Sequence, residues 1–185
     1  MNLYLIRHGA TRANEEHLYC GSTDLPLSPE GAAALRALSD PPPRARYLTS
    51  GMRRTNETME ILFPGTPYDT DPRFREVDFG IFEMKSYEML KNDPAYLAWI
   101  TGDNEKNIPP QGESGEAFRA RILAALATLR EDTVLVTHGG VIAVIMASLF
   151  PAENKNRYQW QPRPGKGYLV TPEGYREIPY KVPSL

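Results

Sequence analysis

The chain has 185 residues and a formal net charge of −2, a balance that argues against a nucleic-acid surface. Its length suits one domain with a substantial core, and no apolar stretch approaches the ~20 residues of a membrane span. A single cysteine, Cys20, cannot close an internal disulfide; with no signal-peptide pattern at the amino terminus, a reducing cytoplasm is expected. Three histidines and one cysteine leave no close metal-ligand cluster, so no metal is expected.

The first element is the uninterrupted apolar run Leu3-Tyr4-Leu5-Ile6, which suits a strand covered on both faces. It ends abruptly in Arg7-His8-Gly9, where a strand of an open α/β sheet leaves the core and ligands bind. A loop through Cys20-Gly21-Ser22-Thr23-Asp24-Leu25-Pro26-Leu27 follows. Ser28-Pro29-Glu30 reads as a helix start, with Ser28 as cap. A short amphipathic helix is expected over Ala32 to Leu38, stopped by Asp40-Pro41-Pro42-Pro43.

Arg46 to Ser50 reads as a second strand ending in polar residues. Met52, Thr55, Met59 and Leu62 then recur at helical spacing, which puts Arg53 and Arg54 in a first helical turn. A weaker strand is expected over Pro67 to Asp69. Residues 84–112 read as a cap-like insertion in a single domain spanning 1–185, with Tyr87, Tyr96 and Trp99 on short helices. Ser114 caps the best helix, lined by Phe118, Ile122, Leu126 and Leu129. Thr133 to Thr137 is a second buried strand ending in His138-Gly139-Gly140, and an apolar helix follows from Val141 to Phe150. Gly167 to Thr171 and Tyr175 to Ile178 form an expected hairpin. The alternation predicts an α/β fold, a three-layer α/β/α sandwich on a mostly parallel, mixed sheet.

Two of three histidines thus occupy the same structural place, a buried strand's end before glycine. Arg7, Arg54 and Glu76 sit at edges that can face the same crevice. A guanidinium matches phosphate oxygens with its planar fork and keeps its charge. Beside such cations an imidazole favours its neutral, nucleophilic form. The set therefore suits histidine attack on a phosphoryl group. Phosphate monoester hydrolysis needs its barrier lowered by ~20 kcal/mol, more than one residue supplies, so nucleophile, cationic clamps and proton donor must act together.

Several ordered blocks carry a resemblance. They are Leu5-Ile6-Arg7-His8-Gly9-Ala10-Thr11 with Asn14, the run Gly21…Asp24-Leu25-Pro26-Leu27-Ser28-Pro29-Glu30-Gly31, and Thr49-Ser50-Gly51-Met52-Arg53-Arg54-Thr55. Phe74-Arg75-Glu76-Val77-Asp78-Phe79-Gly80, Pro110-Gln111-Gly112-Glu113-Ser114 and Val136-Thr137-His138-Gly139-Gly140 complete them. In this order they resemble the histidine phosphatase (phosphoglycerate mutase-like) superfamily, and its short branch with α-ribazole phosphatases and broad-specificity phosphatases.

The resemblance implies a phosphoglycerate mutase-like fold and a cofactor-independent, acid-type phosphatase acting on a small phosphorylated substrate. His8 would be the nucleophile forming a phosphohistidine, with Arg7, Arg54 and His138 making the phosphate pocket. Glu76 would be the general acid. Asn14 would help bind the phosphate through its side chain, and Gly21, Ser22 and Gly139 would likewise contact the substrate or its phosphate. The Arg53-Arg54 pair leaves the register open by one, and the family spacing to Thr58 selects Arg54. Val77 stands where mutases carry arginine, which favours hydrolysis over mutase-type transfer. Met84 replaces a frequent glycine and Ala143 a frequent arginine. A pocket that binds phosphate without turnover is the remaining alternative.

Read singly, these residues are plainer. Arg7-His8-Gly9 and His138-Gly139-Gly140 are turns, Asn14 a turn residue, Glu76 solvated surface, and Arg53 and Arg54 a solvated helix face, which one of the two remains. His17, Arg12 and Lys85 are expected in solvent, and Cys20 as a small packed group. Tyr87, Tyr96 and Trp99 suit core packing as well as stacking on a substrate ring.

Overall fold

A computed structural model describes residues 1–35, 44–103 and 105–178. Strand β1 (Leu3–Arg7) is followed by helices α1 (Arg12–Glu15) and α2 (Pro29–Ala34), then β2 (Arg46–Thr49), α3 (Arg53–Leu62) and β3 (Asp69–Thr70). Next come α4 (Tyr87–Leu90), α5 (Pro94–Ile100), α6 (Gly115–Leu126), β4 (Thr133–Thr137) and α7 (Gly139–Leu149). The short α8 (Arg157–Trp160) precedes the hairpin β5 (Gly167–Thr171) and β6 (Gly174–Ile178).

The six strands form one sheet in the order β3-β2-β4-β1-β5-β6. Strands β3, β2, β4 and β1 run parallel, whereas β5 and β6 are antiparallel, so the sheet is mixed. Side-chain alternation sorts its two faces. Leu3, Leu5, Leu48 and Leu135 pack with Phe118 and Ile122 of α6 and Val141, Ile142 and Ile145 of α7. Ile6, Tyr47, Val134 and Val136 pack on the other face with Met59 and Leu62 of α3. Layers on both sides explain why β1 and β4 are apolar without interruption.

A third, smaller cluster joins Phe82, Leu90 and Tyr96 to Tyr19, Phe79 and Trp99 outside the sandwich core. Tyr96 is buried there, while Tyr87 is exposed. Both lie on the short helices α4 and α5, where expected.

Some boundaries move. Helix α2 begins at Pro29 under the Ser28 cap and ends at Ala34, with Leu35 already extended as its C-cap; residues 36–38 of the expected Ala32–Leu38 helix, and its proline stop, fall outside the described residues. The third strand is Asp69–Thr70 rather than Pro67–Asp69, because only Leu48 and Thr49 are there to pair with it. Helix α7 starts two residues before Val141, since Gly139 and Gly140 form its first turn. Helices α1 and α8 have no apolar period to announce them; each is a single turn with a reciprocal cap, Thr11 with Asn14 and Asn156 with Gln159. Among the described residues, no helix is long and apolar enough to cross a membrane.

Candidate active site

Because β1, β4 and β2 are parallel neighbours, their carboxyl ends meet at one edge. Arg7 pairs in register with Thr137, and the His8 N–H donates to the Thr137 carbonyl at 2.9 Å. His8 and His138 therefore leave the sheet side by side. Their rings meet edge to face with centroids 5.2 Å apart, and both are buried.

The proton on each ring follows from its partners. His8 Nδ1 lies 2.7 Å from the Gly9 carbonyl oxygen, which can only accept, so Nδ1 carries the hydrogen. The lone pair is left on Nε2. Burial, then the charges of Arg54 and Arg7, hold the His8 imidazole well below the ordinary histidine range. It is a neutral base with a free lone pair.

Arg54 is buried in α3, whereas Arg53 is exposed and pairs with Glu57 at 3.3 Å. The Arg54 fork donates to the Thr23 and Gly21 carbonyls at 2.8 Å each, and its Nε donates to His138 Nδ1 at 3.3 Å. Arg7 donates through Nη1 to the Pro162 carbonyl at 2.8 Å. Its Nε is buried without a partner, a desolvated donor that an anion would satisfy. Gly139 makes room for this guanidinium: a Cβ there would lie 3.1 Å from Arg7 Cζ.

Glu76 lies at the amino end of α7, where the Gly140 N–H donates to Oε2 at 2.9 Å. The helix dipole makes this end a natural anion site. Asn14 Oδ1 accepts the Thr11 N–H at 2.9 Å, which fixes the amide plane of a residue that lines the adjoining cleft. That cleft holds about 330 Å³ and is bounded by Arg7, Asn14, Glu76 and Gly140 together with Tyr19, Phe79, Trp99 and Tyr158. Half-buried Cys20 lines it as well, its thiol pushed up by burial. His17 is exposed, and Arg12 pairs with Glu16 at the surface.

The structure thus gathers Arg7, His8, Arg54, Glu76, His138 and Gly139, with Asn14 at the cleft. It uses Gly21 and Ser22 differently from the expectation. Their N–H groups are taken by the Glu83 carboxylate at 3.0 and 2.9 Å. Glu83 also accepts from the N–H groups of Thr23 and Phe79 and from the Thr23 hydroxyl at 2.7 Å. The loop is closed by this internal carboxylate, and Gly21 serves the site through its carbonyl bond to Arg54. Gly21 must be small because a Cβ would collide with the Val77 carbonyl.

Three supports escape a sequence reading. Thr58 accepts the Gly9 N–H at 2.9 Å and donates to the Arg54 carbonyl at 2.6 Å, tying the first histidine turn to α3. Its only trace is the spacing that selected Arg54. Arg121 donates to the carbonyls of Arg75 and Glu76 at 2.7 and 3.0 Å and pairs with Glu113. An arginine between Phe118 and Ile122 on a core-facing stripe was the available signal. Glu83 had none, since the loop amides it holds at 21–23 lie about sixty residues away.

A phosphoglycerate mutase-like α/β sandwich with two histidines and Arg7 at the strand ends, and Arg54 in the first turn of α3 beside them, defines a class. The chain belongs to the histidine phosphatase superfamily (branch 1), whose family model matches residues 3–178. It is similar to the adenosylcobalamin/alpha-ribazole phosphatase of Salmonella typhimurium, 32% identical over 161 residues, covering 80% of this chain and 79% of that one. The probable phosphoglycerate mutase GpmB of Enterobacter sp. is 29% identical over 202 residues, covering 94% and 93%. Among solved structures, a phosphoglycerate mutase from Thermus thermophilus superposes with a TM-score of 0.77 at 33% identity, covering 96% of each chain.

Proposed function

We propose that the protein is a phosphomonoesterase that hydrolyses a small phosphorylated metabolite through a phosphohistidine on His8. The observation that carries this reading is the free Nε2 lone pair of a neutral, buried imidazole beside Arg54 and Arg7. Nε2 attacks phosphorus and the bond to the leaving oxygen breaks. The Glu76 carboxyl gives its proton to that oxygen, releasing the alcohol. Water then attacks the phosphohistidine, and the Glu76 carboxylate takes the water's proton. Inorganic phosphate leaves, and His8 returns to its neutral form.

The remaining groups have roles in this scheme. Arg7 and Arg54 clamp the phosphoryl oxygens, His138 completes the pocket wall, and the amino end of α7 adds its positive pole. The Nδ1–H bond to Gly9 holds the ring steady and stabilises the cation formed on attack. Asn14 and the cleft take the leaving group. Residues 84–112 act as a cap over that cleft within a single domain, a reading supported by the separate cluster around Phe82 and Tyr96.

Mutase-type transfer is the second reading, favoured by the likeness to GpmB. A mutase acting on phosphoglycerate must also hold a carboxylate. The other arginine lining the cleft, Arg157, is paired with Glu105, and aromatic rings form much of the wall. These features favour a bulkier, planar alcohol. With purified protein in EDTA, α-ribazole phosphate and p-nitrophenyl phosphate should release inorganic phosphate. 3-Phosphoglycerate with a trace of bisphosphate should yield little 2-phosphoglycerate. Efficient 2-phosphoglycerate formation would establish the mutase instead; tight phosphate binding without turnover would establish a binding module.

A further inference from the structure

Ser50 and Thr55 are fully buried beside His138, yet neither faces the cleft. Four groups stand in a line. His138 Nε2 lies 2.9 Å from Ser50 Oγ, which lies 3.0 Å from Thr55 Oγ1, which lies 2.7 Å from the Met52 carbonyl. The direction of every hydrogen can be worked out from either end.

From the carbonyl end, the Met52 oxygen can only accept, so Thr55 donates to it and must accept from Ser50. The Ser50 hydrogen is thereby committed, and its oxygen accepts from His138 Nε2–H. From the other end, Arg54 Nε can only donate, at 3.3 Å, so His138 Nδ1 accepts and the ring hydrogen must sit on Nε2. The two deductions are independent and agree. Ser50 also accepts the Met52 N–H at 3.4 Å, which fills its capacity.

We propose that Ser50 and Thr55 are positioning residues that lock His138 in its neutral Nε2–H tautomer, so that Nδ1 is the acceptor orienting the Arg54 guanidinium in the phosphate pocket. The inference rests on the phosphatase reading for its effect on rate, but not for the tautomer itself. His8 carries its hydrogen on Nδ1 and His138 on Nε2: the facing rings hold opposite tautomers because one is anchored by a carbonyl and the other by a hydroxyl chain.

The decisive variant is Thr55→Val, which keeps the shape and removes the acceptor for Ser50. The Met52 carbonyl keeps its bonds from the Thr55 and Asn56 N–H groups at 2.9 and 3.0 Å, so nothing buried is stripped there. The freed Ser50 hydroxyl can then turn and donate to His138 Nε2, moving the ring hydrogen to Nδ1. Two N–H donors would face each other, and the Arg54 bond would be lost.

Long-range proton–nitrogen spectra of the unliganded protein labelled with 15N-histidine report tautomers directly, and only three histidines need assignment. The expected result is Nε2–H for His138 in the native protein and in Thr55→Ser. In Thr55→Val the Nδ1–H form should appear, with kcat/KM falling on the order of tenfold or more, the effect of one hydrogen bond to a charged group. Native His138 with its hydrogen on Nδ1 would overturn the proposal without any variant. So would a Thr55→Val protein with native tautomer and native rate. Failure of the phosphatase reading shows separately, as turnover surviving His8→Ala.

Discussion

Gly140 and Glu76 are in direct contact: the backbone N–H of the glycine donates to Oε2 of the glutamate at 2.9 Å, and a Cβ on Gly140 would collide with Oε1. The absence of a side chain at the second residue of α7 is thus what admits the proposed acid to the helix end. It also ties the His138-Gly139-Gly140 turn to a residue 64 positions earlier in the chain.

Gly140→Ala should therefore displace the Glu76 carboxylate while leaving His8 and the arginines in place. General acid help amounts to a factor of ~10²–10⁴, so kcat on an alkyl phosphate should fall about a hundredfold. With p-nitrophenyl phosphate, whose leaving group needs little protonation, the loss should be much smaller. Equal losses on both substrates would show that the contact serves something other than leaving-group protonation.

Met84 occupies the left-handed region at φ +60°, where side chains are disfavoured by about 1–2 kcal/mol. Its conformation follows from its neighbours: Glu83 closes the loop at 21–23, and the Met84 N–H donates to the Tyr19 carbonyl at 2.7 Å. The glycine frequent at this position in the resembling family suits the same backbone. Met84→Gly should be more stable than Met84→Ala by about 1 kcal/mol in urea unfolding. Since both variants lose the same packing, the difference isolates the backbone. An alanine variant at least as stable as the glycine one would contradict the account.

Burial first, then the Arg54 charge, holds both His8 and His138 well below the usual 6.5. Below that value the unfolded chain takes up protons that the folded chain refuses, so stability is complete above about pH 6.5 and declines as pH falls. Each ring adds a slope of up to ~1.4 kcal/mol per pH unit. Urea midpoints at pH 7 and pH 5 should show this decline, and it should be shallower in His138→Gln. An equal decline in the variant would remove His138 from the balance. Over the same range, His8 needs no deprotonation to act, consistent with the acid-type activity proposed.

Much of this is legible in the sequence because the signals are local. The apolar runs Leu3–Ile6 and Val134–Val136 say that their strands are covered on both sides, and the polar residues after each mark where the chain reaches the ligand edge. The period Met52, Thr55, Met59, Leu62 places Arg53 and Arg54 in the first turn of α3 but does not choose between them; the resemblance, through the spacing to Thr58, selects Arg54, which is the buried one. Partners distant in sequence are not legible. Glu83 gathers the amides of Gly21, Ser22 and Thr23, Arg121 holds the backbone of Glu76, and Ser50 meets His138 across 88 positions. Each needs the finished sheet before its hydrogen-bond partners exist. For that reason the sequence alone assigns Gly21 and Ser22 to the substrate, when an internal carboxylate already holds their amides.

In the proposed reaction His8 Nε2 is the atom that accepts the phosphoryl group. Turnover of p-nitrophenyl phosphate, quenched in base to preserve acid-labile phosphohistidine and followed by peptide mapping, tests this directly. The label should appear on His8, at Nε2, and be lost together with turnover in His8→Ala. Label on Cys20 or His138, or full turnover by His8→Ala, would contradict it.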